Sequence, residues 1–300
     1  MKTLAATVTI ALTPLAGFAQ TVTVPVWDGD ATVEVSPQTV VAFELAAIDT
    51  LDALGVEIAG VPAFGPPAFL ADAMNGIDTM GSLFEPDFEK LAILGPDLII
   101  AGGRSQDKID DLSELAQTLD MTISGTDLVE TSKVRTAAYG EIFGKQDEAA
   151  ALIAALDNTL AEAQNAVAGK GSALIIMTNG GKMSAYGDDS RFGWLHTATG
   201  LPEAIADISA ENHGESISFE FIADVNPDWI LVVDRLSAIG QDGQAAAVTL
   251  DNPLVAGTTA GQNGQIIYMD SAPLYLAAGG ANAIQILLNQ LIDGFSNSGS

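Results

Sequence analysis

The sequence predicts an α/β fold of two small parallel-sheet lobes, one in each half of the chain, with one long helix between them. Three observations lead there. Strand-like apolar runs alternate with helical segments in both halves. A spaced pattern of Phe-Glu, Pro-Asp and Arg occurs once in each half. Asp147–Val167, at the middle of the chain, is a run of good helix formers with neither proline nor glycine. The 300 residues, 48% of them hydrophobic, suffice for two domain-sized cores.

Taken in order, Met1–Ala19 reads as an export signal: Lys2, the apolar stretch Leu4–Leu15, then the small-x-small site Gly17-Phe18-Ala19 before Gln20. With no cysteine there is no lipid-modified N-terminal cysteine, and a free, exported form cleaved after Ala19 is expected. Val22–Val26 and Ala31–Val35 alternate around Asp28-Gly29, a hairpin pattern. Val40–Phe43 is a strand, Ala47–Leu54 a helix closed by Gly55, and Val56–Val61 a strand. Glu85–Leu94 is helical, Asp97–Ala101 a buried strand, Lys108–Leu119 helical and Met121–Ile123 a short strand. Helices near Lys133–Phe143 and over Asp147–Val167 close the first half. The second half restarts with strands at Ala173–Met177 and Lys182–Tyr186, then a helix over Arg191–Thr199. Phe219–Val225 is a helix, Asp228–Val233 and Gln265–Met269 are strands, and Gly279–Phe295 is a closing helix.

The repeat points to a site. Phe88-Glu89, Pro96-Asp97 and Arg104 recur at equal spacing as Phe219-Glu220, Pro227-Asp228 and Arg235. Each arginine thus follows a buried strand, and ligands in open parallel sheets gather beyond the strands' carboxyl ends. Arg191 also follows a strand, Lys182–Tyr186. Three converging guanidinium forks suit a ligand with several negative oxygens. Lys108 either adds to that field or faces water, and Arg135 reads as part of a solvated helix face. His196 reads as a packed or solvated helix residue. His213 and Tyr275 are a loop-borne pair able to complete the coordination of a hard ferric ion.

Composition excludes several classes. No cysteine means no disulfide scaffold, thiolate metal site or cysteine nucleophile. With 39 acidic against 11 basic residues the net charge is -28, which disfavours nucleic acid and anionic lipid as partners. Removal of Lys2 leaves 10 basic residues, so each is informative. No G-x-S-x-G, H-E-x-x-H, P-loop or G-x-G-x-x-G motif occurs, and no enzymatic activity is expected. A secreted hydrolase has only export and the α/β pattern behind it.

Ser184-Ala185-Tyr186-Gly187, Ser190-Arg191-Phe192-Gly193-Trp194 and His213-Gly214-Glu215-Ser216-Ile217-Ser218-Phe219-Glu220 are specific signatures. Through them, and through stretches from Val40 onward, the chain resembles the periplasmic substrate-binding proteins of iron–siderophore ABC transporters, particularly the ferric-catecholate branch. The resemblance implies a class III periplasmic binding protein: two Rossmann-like lobes joined by one long helix, with closure of only a few degrees. The expected divisions are a signal over 1–19, an N-terminal lobe over 20–142, a linking helix over 143–169 and a C-terminal lobe over 170–300. It implies that Arg104, Arg191 and Arg235 hold an anionic ferric siderophore, with Lys108, Tyr186 and Trp194 as further expected contacts. It implies that His213 and Tyr275 ligate Fe(III) where the siderophore leaves positions open, with no intrinsic cofactor. It implies that Glu89 and Glu220 dock a periplasmic monomer on an inner-membrane ABC permease. Leu274 stands where the pattern would have an aromatic residue. A haem-binding protein of the same fold is the alternative, since haem accepts a tyrosine or histidine ligand.

Overall fold

The structure, a computed structural model, describes residues 20–123, 125–208 and 214–297. The expected export signal and His213 lie outside the described residues.

The hairpin comes first. β1 (Thr21–Val26) and β2 (Gly29–Glu34) pair antiparallel with Thr21 opposite Glu34. Alternation turns Val24 and Val33 inward, and Gly29 takes the positive φ that the tight turn requires. There follow β3 (Val40–Ala42), α1 (Leu45–Ala53), β4 (Gly60–Val61), α2 (Ala71–Met74) and β5 (Asp78–Thr79). Next are α3 (Phe88–Leu94), β6 (Leu98–Ala101), α4 (Ile109–Ser113) and β7 (Gln117–Asp120). The strands form one parallel sheet in the order β5-β4-β3-β6-β7. Both faces are covered, which is why β3 and β6 read as unbroken apolar runs. Val40, Ala42, Leu98 and Ile100 enter one core; Val41, Phe43, Ile99 and Ala101 enter the other.

Three expected elements change here. The strand expected over 56–61 pairs only at Gly60–Val61. The helix expected over Lys108–Leu119 is instead a 3-10 turn (Gly103–Lys108), the short α4, and then β7 beside β6. Only Leu119 of β7 is buried, so the sequence carries almost no strand alternation there. The strand expected over Met121–Ile123 is the irregular segment just after β7.

α5 (Leu128–Phe143) and α6 (Gln146–Val167) are separated by Gly144, which ends α5 in the left-handed conformation. Arg135 of α5, expected in solvent, is buried. Its Nη1 donates to Pro25 O at 2.7 Å and its Nη2 to Thr122 O at 3.4 Å, tying the hairpin and the loop after β7 to the helix.

The second lobe begins with β8 (Ala173–Asn179), β9 (Lys182–Tyr186), α7 (Trp194–Thr197) and β10 (Glu215–Ser216). It continues with α8 (Phe219–Val225), β11 (Trp229–Asp234), α9 (Arg235–Ala238), α10 (Ala246–Thr249), α11 (Pro253–Ala256) and α12 (Thr259–Asn263). It ends with β12 (Ile266–Tyr268), α13 (Ser271–Leu276) and α14 (Ala281–Asn297). The sheet order is β10-β9-β8-β11-β12. β8, β11 and β12 are parallel, but β9 and β10 run antiparallel to their neighbours, which corrects the all-parallel expectation. Only Gly180-Gly181 separates β8 from β9, far too short for the crossover that a parallel pair needs.

The repeat has a structural meaning. α3 is capped by Asp87 and α8 by Ser218; Gly95 and Asn226 close them in the left-handed conformation. The aspartate of each Pro-Asp then fastens the neighbouring strand. Asp97 accepts from Gln38 N and Thr39 N, both at 2.9 Å, just before β3. Asp228 accepts from Ser172 N at 2.8 Å, just before β8. β3 pairs with β6 and β8 with β11, so the two aspartates do the same work in each lobe.

The lobes are also fastened to each other. α14 packs on α6 and meets α1 at its start. Asp49 of α1 accepts from Asn282 N at 2.8 Å and Ala283 N at 3.1 Å, and Thr50 Oγ1 accepts from Ala281 N at 3.2 Å. These are the orphan donors of a helix N-terminus. Burial lifts the Asp49 carboxyl to about 6, against the downward pull of its amide donors. An N-terminal-lobe carboxylate therefore caps the last helix of the chain.

Candidate functional site

Residues that follow the carboxyl ends of β3, β6, β8 and β11 line one cleft of about 990 Å³ between the lobes. Gly102 makes the sharp exit from β6 possible. At φ 148° it lies where a Cβ would stand 2.7 Å from Thr122 N. Arg104 follows at the cleft.

The centre of the cleft is Tyr275, in the last turn of α13. Arg104 donates to Tyr275 O at 3.1 Å and Leu276 O at 3.2 Å. Arg191 donates to Tyr275 O at 2.9 Å. Arg235 Nε donates to the Tyr275 hydroxyl at 3.2 Å, and its Nη1 reaches Asn179 Oδ1 at 3.4 Å. The three guanidinium carbons lie 5.6, 4.4 and 5.9 Å from the Tyr275 ring centre, for Arg104, Arg191 and Arg235 respectively. The backbone acceptors are carbonyls at a helix C-terminus, which lack helical partners and carry partial negative charge. Neutral carbonyls thus orient Arg104 and Arg191, and Glu44 acts on Arg104 by its charge alone, with no ion pair. Among the described residues, none of the three forms an ion pair, in a chain with 39 acidic residues.

Crowding has electrostatic consequences. Burial, and then repulsion from Arg191, pulls Arg104 below its ordinary value. Burial opposes ionisation of Tyr275, but the Arg235 hydrogen bond and the charges of all three arginines outweigh it and hold the phenol below its ordinary value. Lys182, the first residue of β9, adds a fourth basic side chain to the lining; sequence reasoning missed it. The signal was available in its place directly after the Gly180-Gly181 turn, and in the scarcity of basic residues. Met177, Met183, Leu128, Ile217 and Leu274 supply apolar walls. Leu274, in the place of the expected aromatic residue, is itself buried in the second-lobe core.

Other sequence candidates fall elsewhere. Trp194, the first residue of α7, is fully buried in that core and does not line the cleft. Tyr186 is buried beneath the site: its ring meets Phe192 edge-on at 4.7 Å, and Arg191 lies over Phe192 at 4.9 Å. Tyr186 thus backs Phe192 under Arg191, and neither Tyr186 nor Trp194 lines the cleft. Lys108 ends the 3-10 turn half-buried and outside the lining. His196 is buried, its Nδ1 2.9 Å from Leu201 O. Glu89 and Glu220 are exposed, each the second residue of its helix. Asp87 N donates to Met80 O just past β5, and Ile217 of the cleft lining immediately precedes α8's cap, so both helix starts flank the cleft mouth. Among the described residues, no cluster of three or more His, Asp or Glu could hold a bare metal ion.

A family model described as periplasmic binding protein matches residues 40–273. The chain belongs to the periplasmic binding protein family. That family's role is substrate binding for transport, and its class III fold matches the two lobes described above. This periplasmic binding protein is 35% identical over 263 residues to the petrobactin-binding protein YclQ of Bacillus subtilis, covering 86% of this chain and 83% of that one. The crystal structure of YclQ aligns with a TM-score of 0.87 at 34% identity, over 93% of this chain and 99% of that one. The ferric-anguibactin-binding protein FatB of Vibrio anguillarum is 32% identical, over 90% of this chain and 86% of its own. The catecholate-siderophore binding protein VctP of Vibrio cholerae aligns with a TM-score of 0.84 at 32% identity, over 93% and 100% of the two chains. No helix among the described residues is long and apolar enough to cross a membrane.

Proposed function

We propose that this protein is a periplasmic, non-enzymatic carrier that binds an anionic ferric siderophore of catecholate type between its lobes and delivers it to an inner-membrane ABC permease. One observation carries the reading: three arginines converge on Tyr275, and among the described residues none of them is ion-paired to a carboxylate. Gathering like charges is unfavourable unless an anion joins them. Each charge-assisted hydrogen bond to such an anion contributes roughly 1.5–3 kcal/mol. The apolar walls suit the flat faces of catechol rings. Tyr275, whose phenol is held below its ordinary value by the arginines, gives a phenolate to Fe(III) where the siderophore leaves a position open, and His213 is the second candidate ligand. Iron here is cargo and not a resident cofactor. The named ligands of the relatives are ferric siderophores, which favours this reading over haem.

Glu89 and Glu220 offer one exposed carboxylate per lobe for the permease, and the carrier acts as a monomer after cleavage behind Ala19. With α6 linking the lobes and Asp49 fastening α14 to α1, closure is small; scattering profiles with and without ligand should nearly superpose. The primary test is a titration of a ferric bis-catecholate, followed by its visible charge-transfer band, with hemin in parallel. The Arg191→Ala/Arg235→Ala double variant should bind the ferric complex at least about 100-fold more weakly. Unchanged affinity, or binding of hemin alone, would overturn the reading.

A further inference from the structure

Among the described residues that line the cleft, Glu44 is the only carboxylate. It stands at the carboxyl end of β3 as the cap of α1, where its Oε2 accepts from Ala47 N at 2.7 Å. Its other oxygen, Oε1, borders Gly103: a Cβ on that glycine would stand 3.6 Å away. Glu44 makes no ion pair among the described residues, not even with Arg104, whose guanidinium is committed to Tyr275 O and Leu276 O.

A glutamate is an unusual choice for a cap. Ser, Thr, Asp or Asn does that work better, with a shorter side chain. The choice also has a cost. Burial lifts the Glu44 carboxyl to about 7, although the amides of α1 and the charge of Arg104 pull it down. The other charge acting on it is Asp49, which repels it; Glu44 in turn helps keep the buried phenol of Tyr139 neutral. A half-buried acid with no ion pair among the described residues, in a cleft of arginines and at the expense of a better cap, is an acceptor awaiting a donor.

Resting on the siderophore reading, we infer that Glu44 is a specificity residue that accepts a hydrogen bond from a protonated amine on the organic part of the ligand. The cleft then selects a ferric chelate with two ends: an anionic iron-binding end for the arginines and a cationic arm for Glu44. A purely anionic chelate would leave Glu44 facing negative charge.

The experiment uses two synthetic ferric bis-catecholamides that differ in the linker, one with a secondary amine and the other with a methylene in its place. Both are titrated into the full-length mature protein and into Glu44→Gln at about pH 8, above the value to which burial raises Glu44. Glutamine keeps an oxygen for Ala47 N, and Glu44→Ser is a second variant that restores a preferred cap. The wild type should prefer the amine-bearing complex by about tenfold, the effect of one charge-assisted bond. Both variants should lose that preference while binding the methylene complex as well as the wild type or better. An equal preference in wild type and variants overturns the inference, as does equal weakening of both complexes, which would make Glu44 a prop for the helix. Binding of neither complex by the wild type overturns the siderophore reading and this inference with it.

Discussion

Replacing Asp49 with asparagine tests the clasp between α1 and α14. The carboxyl is almost wholly buried, and burial raises it from 3.8 to about 6. Its protonated form is therefore the one that the native state favours. The stability it confers is full below 3.8 and is lost as pH rises through about 6. A shift of that size corresponds to about 3 kcal/mol. Asparagine keeps an oxygen for Asn282 N and Ala283 N and cannot titrate. Denaturant melts of both proteins, at steps between about pH 4 and pH 8, give the difference in unfolding free energy at each pH. The other carboxylates cancel in that difference to first order. The wild type should lose about 2–2.5 kcal/mol relative to Asp49→Asn between about pH 4 and pH 8, nearly all of it below about pH 7. A difference that stays flat with pH would refute the argument: Asp49 would then be solvated, and α14 would not be capped from the other lobe.

Other substitutions probe neighbouring features. In Gly280→Ala, the new Cβ would stand 2.3 Å from Asp49 Oδ2, so unfolding free energy should fall by about 2–4 kcal/mol. Asp97→Ala and Asp228→Ala remove equivalent fastenings, and each should lower stability by about 1–3 kcal/mol without changing ligand affinity more than about twofold. Tyr275→Phe should shift the visible band of the bound ferric complex if the phenolate reaches iron; an unchanged band would confine Tyr275 to organising the arginines. Trp194→Phe should leave ligand affinity within about twofold, because Trp194 lies in the core and its Nε1 has no hydrogen-bond partner to lose.

What the sequence made legible follows from how each feature is encoded. β6, β8 and β11 are buried on two faces, so their apolar runs stand out; α8 emerges at its observed bounds because a serine cap and a left-handed asparagine punctuate it. β7 is an edge strand with one inward residue, and nothing in its composition marks it; β4 falls at the end of the strand expected over 56–61 and pairs only at its last two residues. The arginines were legible because the repeat put them after strands and because basic residues are scarce. Trp194 and Tyr186 lie off the lining for a related reason: nearness in sequence to Arg191 does not fix the direction of a side chain, and both are buried in the second-lobe core. Arg135 was unreadable because its partners, Pro25 O and Thr122 O, are backbone carbonyls from distant segments. Glu44 was hidden among 39 acids, and only the geometry of the cleft isolates it.

The segregation of charge has a kinetic side. A molecule of net charge -28 surrounds its cationic cleft with a negative exterior. At physiological ionic strength that exterior is screened beyond about 8 Å. An approaching anion therefore meets a barrier in dilute buffer and little resistance in brine, so its association rate should climb with added salt, the reverse of ordinary electrostatic steering. The same fence slows escape of an anion already inside. Such a molecule trades speed of capture for length of residence.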